Sequence, residues 1–281
     1  MRAAAVVVVL ALTACSGTSA SDGGSATPSP GGRPPATASA PVTPDLAQPA
    51  VRCGPPDAEA TLVRFGAADG TGLNGVLVGT GRIGVVLVHE SQPADLCGLW
   101  PFAHFLARRG MQAFAVDLRC FGRSACPAGA ARGRVIDDIT AAVAEMRRRG
   151  ATRVAVVGAS MGGAAALIAG TRVQPPLAAV VSLSGETDPT ELVGGIPLNA
   201  GAVVGRLRVP AMFVVATGDR YVTVAETRTM YQAVATGDKQ LLALSDGFDR
   251  RHGLELLTDP TGGRFTTVAD RVATFLTAHG R

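Results

Sequence analysis

Residues 153–170, RVAVVGASMGGAAALIAG, decide the fold of this chain. A run of small and β-branched residues ends at Gly158, a single serine at position 160 stands between glycines, and alanine-rich sequence follows. A short apolar run that ends at glycine is typical of a buried strand, and the alanine-rich stretch favours a helix. The segment therefore predicts a strand, a sharp turn that carries Ser160, and a helix.

The same alternation extends to both sides of this segment. Two strands separated by Gly and Asp are expected near residues 60–80, and we expect them to pair antiparallel. Further buried strands are predicted at 83–89, 111–118, 177–185, 211–218 and 239–247, and helices at 99–109, 135–149, 161–172 and 264–278. Continuous apolar strands that alternate with amphipathic helices predict an α/β fold with a mostly parallel sheet covered on both faces.

Gly158, Ser160 and Gly162 form a G-x-S-x-G pattern at the predicted strand-to-helix turn. In that context the pattern is typical of a nucleophile elbow, in which small neighbours allow a sharp turn that lifts the serine clear of the sheet. The alternative is a glycine-rich packing turn without a chemical role. The context favours Ser160 as a nucleophile, which needs a base to take its proton.

His252 is the best candidate for that base, because its loop follows the last predicted strand at the carboxyl edge of the sheet. Asp219, directly after the preceding strand, is the expected acid that orients the histidine, and Glu186 is an alternative acid one strand further away. The other three histidines have more ordinary explanations: His89 ends a strand, His104 lies within an apolar helix, and His279 is in the tail.

The segments VVLVHESQ, FLARRGMQAFAVDLRCFGRS, VVGASMGGAAAL, GDRYV and HGLELL follow in this order along residues 60–278. Together they resemble the α/β-hydrolase superfamily, and within it small bacterial serine esterases and dienelactone-hydrolase-like proteins. The resemblance implies the triad Ser160, Asp219 and His252 and no metal or organic cofactor. It also implies an oxyanion hole made by the backbone N–H groups of Met161 and Ser91.

The chain departs from the resemblance at two positions. Glu90 follows His89 where many members have glycine, and its carboxylate is expected either to gate the nucleophile or to face solvent. Cys120 replaces a glycine in the turn after the strand 111–118.

The expected reaction is hydrolysis of carboxylic esters through an acyl-enzyme. A peptidase, thioesterase or acyltransferase with the same triad remains open, as does a non-catalytic binding protein of the cell envelope. Residues 186–210, where lids are usually inserted in this fold, leave room for one crossover helix at 198–207. We therefore expect no large lid, an open site and a preference for small or short-acyl esters.

The N-terminal residues predict export. Residues 1–14 have a short charged start and an apolar stretch too short to span a bilayer, which is typical of a signal peptide. Leu-Thr-Ala precedes Cys15 as in a bacterial lipobox, so we expect Cys15 to be lipidated and to hold the protein on the outer face of the membrane. The alternative is an ordinary signal with a chance cysteine. Residues 15–51, rich in Ser, Thr, Pro and Gly, predict a disordered tether, and residues 52–281 the catalytic domain.

Charge and cysteine content limit other functions. The net charge is only +4 and no basic run is interleaved with aromatic residues, so no nucleic-acid partner is expected. The cysteines do not have the spacing of a zinc site. Export favours disulfides, and four cysteines allow three pairings. The six-residue spacing favours Cys120 with Cys126, which leaves Cys53 with Cys97.

Overall fold

The computed structural model describes Cys53, residues 58–92 and residues 94–280. The predicted signal peptide, the predicted lipidation site Cys15 and the predicted tether lie outside these residues. Within the described part of the chain, none of the helices has the length and apolar character needed to cross a membrane.

Within the described residues, eight strands form one sheet in the order β1-β2-β4-β3-β5-β6-β7-β8. Strand β2 runs antiparallel to β1 and β4, and the remaining neighbours are parallel. The strands are β1 (Ala60–Gly66), β2 (Gly72–Val78), β3 (Ile83–Val88), β4 (Gln112–Asp117), β5 (Arg153–Ala159), β6 (Val180–Leu183), β7 (Ala211–Ala216) and β8 (Lys239–Leu244). The predicted α/β-hydrolase fold is thereby confirmed.

Helices cover both faces of the sheet. They are α1 (Trp100–Ala107), α2 (Val135–Arg148), α3 (Met161–Gly170), α4 (Val224–Ala233) and α5 (Thr267–Gly280). Because side chains alternate along a strand, Val86 and Val88 of β3 pack with α2 and α3, while Val85 and Leu87 pack with α1 and α5. Strands β3 to β7 are buried on both faces, which explains their continuous apolar sequences, whereas the edge strand β8 is only partly buried.

The connection between β6 and β7 differs from the prediction. A helix at 198–207 was expected, but the only helical turn there among the described residues is a 3₁₀ helix at Val204–Arg206. Gly201 packs against the methyl group of Thr187 and donates its N–H to the Thr187 carbonyl at 2.9 Å, so the chain closes into a loop. The expected helix was therefore wrong, while the absence of an α-helix between residues 184 and 210 agrees with the expectation of no large lid.

Helix α4 was not predicted. It begins with a capping box, in which the Thr223 hydroxyl accepts from the N–H of Glu226 and the Glu226 carboxylate accepts from the N–H of Thr223. The sequence T-V-A-E carried this signal.

The structure contains both favoured disulfides, Cys53–Cys97 and Cys120–Cys126. The first joins the start of the described domain to the short 3₁₀ helix Leu96–Leu99 that precedes α1. The second closes the loop after β4, where Cys120 adopts a left-handed backbone conformation with φ of 66°.

Candidate active site

Ser160 occupies the sharp turn between β5 and α3. Its backbone has φ of 50° and ψ of −123°, a combination that is uncommon for a residue with a side chain and that marks stored strain. A Cβ atom on Gly158 would lie 1.9 Å from the carbonyl oxygen of Gly162, so only glycine fits there. Ser160 is 6% exposed at the start of α3, where the helix dipole favours negative charge.

His252 and Asp219 form a hydrogen-bonded pair. Asp219 follows β7 and His252 lies in the loop after β8, so both reach the carboxyl edge of the sheet. The Nδ1 atom of His252 lies 2.8 Å from Oδ1 and 3.1 Å from Oδ2 of Asp219. Asp219 also accepts the N–H of Tyr221 at 3.0 Å, and the Tyr221 ring packs edge-on against the imidazole. These contacts fix the orientation of the ring. When His252 is neutral, Nδ1 carries the proton and Nε2 is unprotonated.

The pKa values of this pair shift in opposite directions. Burial, the largest single influence, would raise the pKa of Asp219, but the hydrogen bonds from His252 and the Tyr221 N–H and the charge of His252 together hold that pKa below its ordinary value. Burial alone would lower the pKa of His252, but the bond to Asp219, together with the carboxylates of Glu186 and Glu90, raises it above its ordinary value. The imidazolium form is therefore stabilised in this site.

Glu186 contacts the candidate nucleophile directly. The Oγ hydroxyl of Ser160 donates to Oε1 of Glu186 at 3.0 Å, and that oxygen lies 3.8 Å from Nε2 of His252. Nε2 itself has no hydrogen-bond partner among the residues that the structure describes. Burial raises the pKa of Glu186. As the alternative acid, Glu186 would have to face Nδ1, but it lies on the Nε2 side and Asp219 occupies Nδ1.

The backbone after β6 explains this position of Glu186. Ser184 has φ of 49°, and Gly185 packs against the backbone of Gly163 near the start of α3. The chain thus turns toward Ser160, the candidate nucleophile, directly after the strand. Sequence reasoning placed Glu186 near the site but missed its hydrogen bond to Ser160.

The two candidate oxyanion donors follow neighbouring strands. Val88 of β3 pairs with Gly158 of β5, and Ser91 and Met161 each lie three residues beyond this pair. The N–H of Leu118 donates to Nε2 of His89 at 3.2 Å, so Nδ1 carries the proton and donates to the Glu90 carbonyl at 2.6 Å.

His89 therefore controls the direction of the next N–H group. In a trans peptide the C=O and N–H groups point in opposite directions. By holding the carbonyl of Glu90, His89 fixes the direction of the Ser91 N–H.

Glu90 links the loop after β3 to the loop of His252. Its Oε1 accepts the N–H of Leu254 at 2.7 Å, and the residue is only 8% exposed. Burial is the main cause that raises the pKa of Glu90 to about 7. Of the two alternatives for Glu90, the one in which its carboxylate faces solvent was wrong, and the hydrogen bond found for its carboxyl is to the histidine loop.

A groove of about 620 Å³ lies between the loop after β4 and the connection after β6. Apolar Phe121, Val193 and Ile196 line it together with Arg132 and Arg134. Both loops leave the carboxyl edge of the sheet, where Ser160 lies. No cluster of His, Cys, Asp and Glu suited to a metal ion occurs in the described residues.

Sequence comparison finds partial matches. Residues 99–203 match the model of a protein family described as "Serine aminopeptidase, S33", a range that includes Ser160 but not the other two triad candidates. The Salmonella typhimurium protein YfhR, described as uncharacterized, is 30% identical over 119 residues, which are 39% of this chain. The match spans 40% of the length of YfhR.

Solved structures match over most of the described domain. The esterase Pf2001 of Pyrococcus furiosus has a TM-score of 0.63 at 20% identity, with 79% of this chain and 93% of that chain covered. The α/β hydrolase GrgF of Penicillium sp. sh18 has a TM-score of 0.65 at 18% identity, with coverage of 78% and 98%. The enol-lactonase of Burkholderia xenovorans LB400 has a TM-score of 0.60 at 15% identity, with coverage of 76% and 99%. At these identities the likeness establishes a shared fold.

Proposed function

We propose that this chain is a serine hydrolase that cleaves carboxylic esters, with Ser160 as nucleophile, His252 as base and Asp219 as the orienting acid. The observation that carries the proposal is the buried Asp219–His252 pair, at the same edge of the sheet as the strained Ser160 turn. The chain order of the three residues is also that of α/β-hydrolases.

Acylation begins when Ser160 Oγ attacks the ester carbonyl carbon and its proton passes to Nε2 of His252. Asp219 stabilises the resulting imidazolium through Nδ1, in agreement with the raised pKa of His252. His252 then gives the proton to the leaving alcohol, which departs as the acyl-enzyme forms.

The N–H groups of Met161 and Ser91 are the proposed donors to the oxyanion. Removal of one such donor in other enzymes costs about 2.7–4 kcal/mol of transition-state stabilisation. The contact of His89 with the Glu90 carbonyl supports this assignment, because it orients the Ser91 N–H before substrate arrives.

The Ser160 hydroxyl must leave Glu186 for acylation, because in this structure it donates to that carboxyl. Hydrogen bonds between catalytic groups are often long without substrate and tighten only in the complex. Substrate binding is thus proposed to turn the hydroxyl toward Nε2 of His252.

Small or short-acyl esters are the proposed substrates, since residues 184–210 contain no α-helix that would close over a long chain. The test is kcat/KM for p-nitrophenyl acetate, butyrate, octanoate and palmitate, with Ser160→Ala as the control. A maximum at palmitate, with activation above its solubility limit, would refute the short-chain preference. Wild-type turnover by Ser160→Ala would refute the mechanism.

A peptidase is the second candidate, and the description of the family that matches residues 99–203 favours it. Aminoacyl p-nitroanilides tested beside the p-nitrophenyl esters separate the two activities. A kcat/KM that is higher for the anilides than for every ester would replace the esterase proposal.

We further propose that the protein is a lipoprotein on the outer face of a bacterial membrane, anchored through Cys15. The support is the sequence of residues 1–15 alone. Mass spectrometry of the native N-terminal peptide tests it, and an unmodified protein released into the medium would refute it.

A further inference from the structure

Glu186 has contacts that the acylation step does not use. Its Oε1 lies within hydrogen-bond distance of the Ser160 hydroxyl and 3.8 Å from Nε2 of His252. The residue is only 7% exposed. A buried carboxyl thus lies beside both reacting groups of the proposed triad, although Asp219 already fills the role of the acid.

Two acceptor atoms in this site lack a donor. Among the described residues, neither Oε2 of Glu186 nor Nε2 of His252 has a hydrogen-bond partner, and both atoms are buried. Buried acceptors without donors cost free energy, so each such atom in a native site requires an explanation, such as a catalytic role or a bound water. A molecule that satisfies both atoms must offer two hydrogen-bond donors in a small volume.

Formation of the acyl-enzyme increases the number of acceptor atoms that lack a donor. Once Ser160 Oγ is esterified it has no proton to donate, so Oε1 of Glu186 also loses its donor. The acyl carbon is then bonded to Oγ, next to the Glu186 carboxyl and the His252 imidazole. Water is the smallest molecule with two donors and a lone pair left for attack on that carbon.

We propose that Glu186 is a catalytic residue of deacylation, which together with His252 holds the water that cleaves the acyl-enzyme. The water oxygen forms a bond to the acyl carbon while one of its protons passes to Nε2 of His252. Glu186 accepts a hydrogen bond from the second O–H, which stays on the carboxylic acid product. The bond from Oγ to the acyl carbon breaks, and Oγ takes the proton back from His252.

This role rests on the proposed serine hydrolase mechanism and makes a distinct kinetic prediction. For an activated ester, kcat/KM reports acylation, while kcat reports deacylation when that step is slow. Loss of a residue that acts only in deacylation lowers kcat and KM together. Loss of a residue that only restrains the resting Ser160 hydroxyl speeds acylation instead.

The experiment is stopped-flow hydrolysis of p-nitrophenyl acetate by wild-type protein, Glu186→Gln and the control Glu191→Gln, which changes an exposed carboxylate in the same connection. For Glu186→Gln we expect a burst of p-nitrophenol followed by a steady-state rate at least about tenfold lower than that of the wild-type protein. This minimum loss is set below the roughly 10²–10⁴-fold contribution of a positioned acid–base group. We expect kcat/KM within about twofold of wild type. Intact-mass measurement should detect an accumulated acetyl-enzyme, and Glu186→Asp should restore part of the steady-state rate.

A faster burst with unchanged steady state, or equal losses in kcat and kcat/KM without an acetyl-enzyme, would overturn this role of Glu186. Fluorophosphonate labelling of Ser160 in the variant separates that failure from failure of the mechanism. If wild-type protein itself neither labels nor turns over esters, the proposed function is at fault.

Discussion

Replacement of Gly253 by alanine tests how the loop of the candidate base is held. Gly253 directly follows His252 and has φ of 53°. A Cβ atom there would lie 1.7 Å from Oε1 of Glu90 and 2.8 Å from its carboxyl carbon. The Glu90 carboxyl would have to move, and with it the hydrogen bond that it accepts from the Leu254 N–H.

Two costs add in this variant. The left-handed backbone costs an alanine about 1–2 kcal/mol. Loss of the hydrogen bond from Leu254, which leaves a partly buried N–H without its acceptor, costs about 1–3 kcal/mol more. We expect Gly253→Ala to lower the free energy of unfolding by about 2–5 kcal/mol. Because His252 is the neighbouring residue, a shift of about 1 Å would also lower kcat/KM by about 100-fold.

A double-mutant cycle with Glu90→Ala isolates the contact. With Glu90 shortened, Gly253→Ala should cost only the backbone penalty of about 1–2 kcal/mol in urea unfolding. Gly247→Ala is the control, since Gly247 has φ of 83° with nothing within 4 Å of the added Cβ. Equal costs of Gly253→Ala with and without Glu90, or a cost no larger than that of Gly247→Ala, would refute this account of the loop.

Three further predictions follow from the site and the disulfides. Asp219→Asn should lower kcat by about 10⁴-fold through the wrong imidazole tautomer, and a loss below tenfold in ester assays would remove Asp219 from the triad. The base must be neutral and the pKa of His252 is raised above 6.5, so kcat/KM should rise with pH through a midpoint above 6.5; a pH profile with its midpoint below 6.5 contradicts this. Replacement of both cysteines by serine should lower the free energy of unfolding in urea by about 4 kcal/mol for Cys53–Cys97 and about 2 kcal/mol for Cys120–Cys126, because the first disulfide closes the longer loop. The reverse order would contradict this entropic explanation.

The sequence was sufficient to predict the sheet and the loops on which Ser160, Asp219 and His252 lie. The glycines around Ser160 indicate a sharp turn. The continuous apolar strands indicate a parallel sheet, because such a sheet is covered on both faces. The helix expected at 198–207 is absent, because apolar residues with this spacing are also compatible with a loop. In the structure Gly201 of that loop contacts Thr187. Helix α4 was not predicted, although Thr223 and Glu226 form a capping box at its N-terminus.

The roles of the two glutamates could not be read from the sequence. Whether Asp219 or Glu186 reaches Nδ1 depends on the turn after β6, where Ser184 adopts a left-handed conformation that its residue type does not demand. The partner of Glu90 is a backbone N–H that is 164 residues away along the chain. Such contacts depend on how loops from different strands meet, and residue type alone carries no signal for a backbone donor.

Covalent capture tests most directly whether Ser160 is the nucleophile. The protein is treated with a fluorophosphonate, digested, and the modified peptide is sequenced by mass spectrometry. We expect one adduct, on Ser160, with loss of esterase activity in proportion to labelling and no adduct on the Ser160→Ala variant. An adduct on another residue, or an unlabelled Ser160 in a protein that still hydrolyses esters, would contradict this role of Ser160.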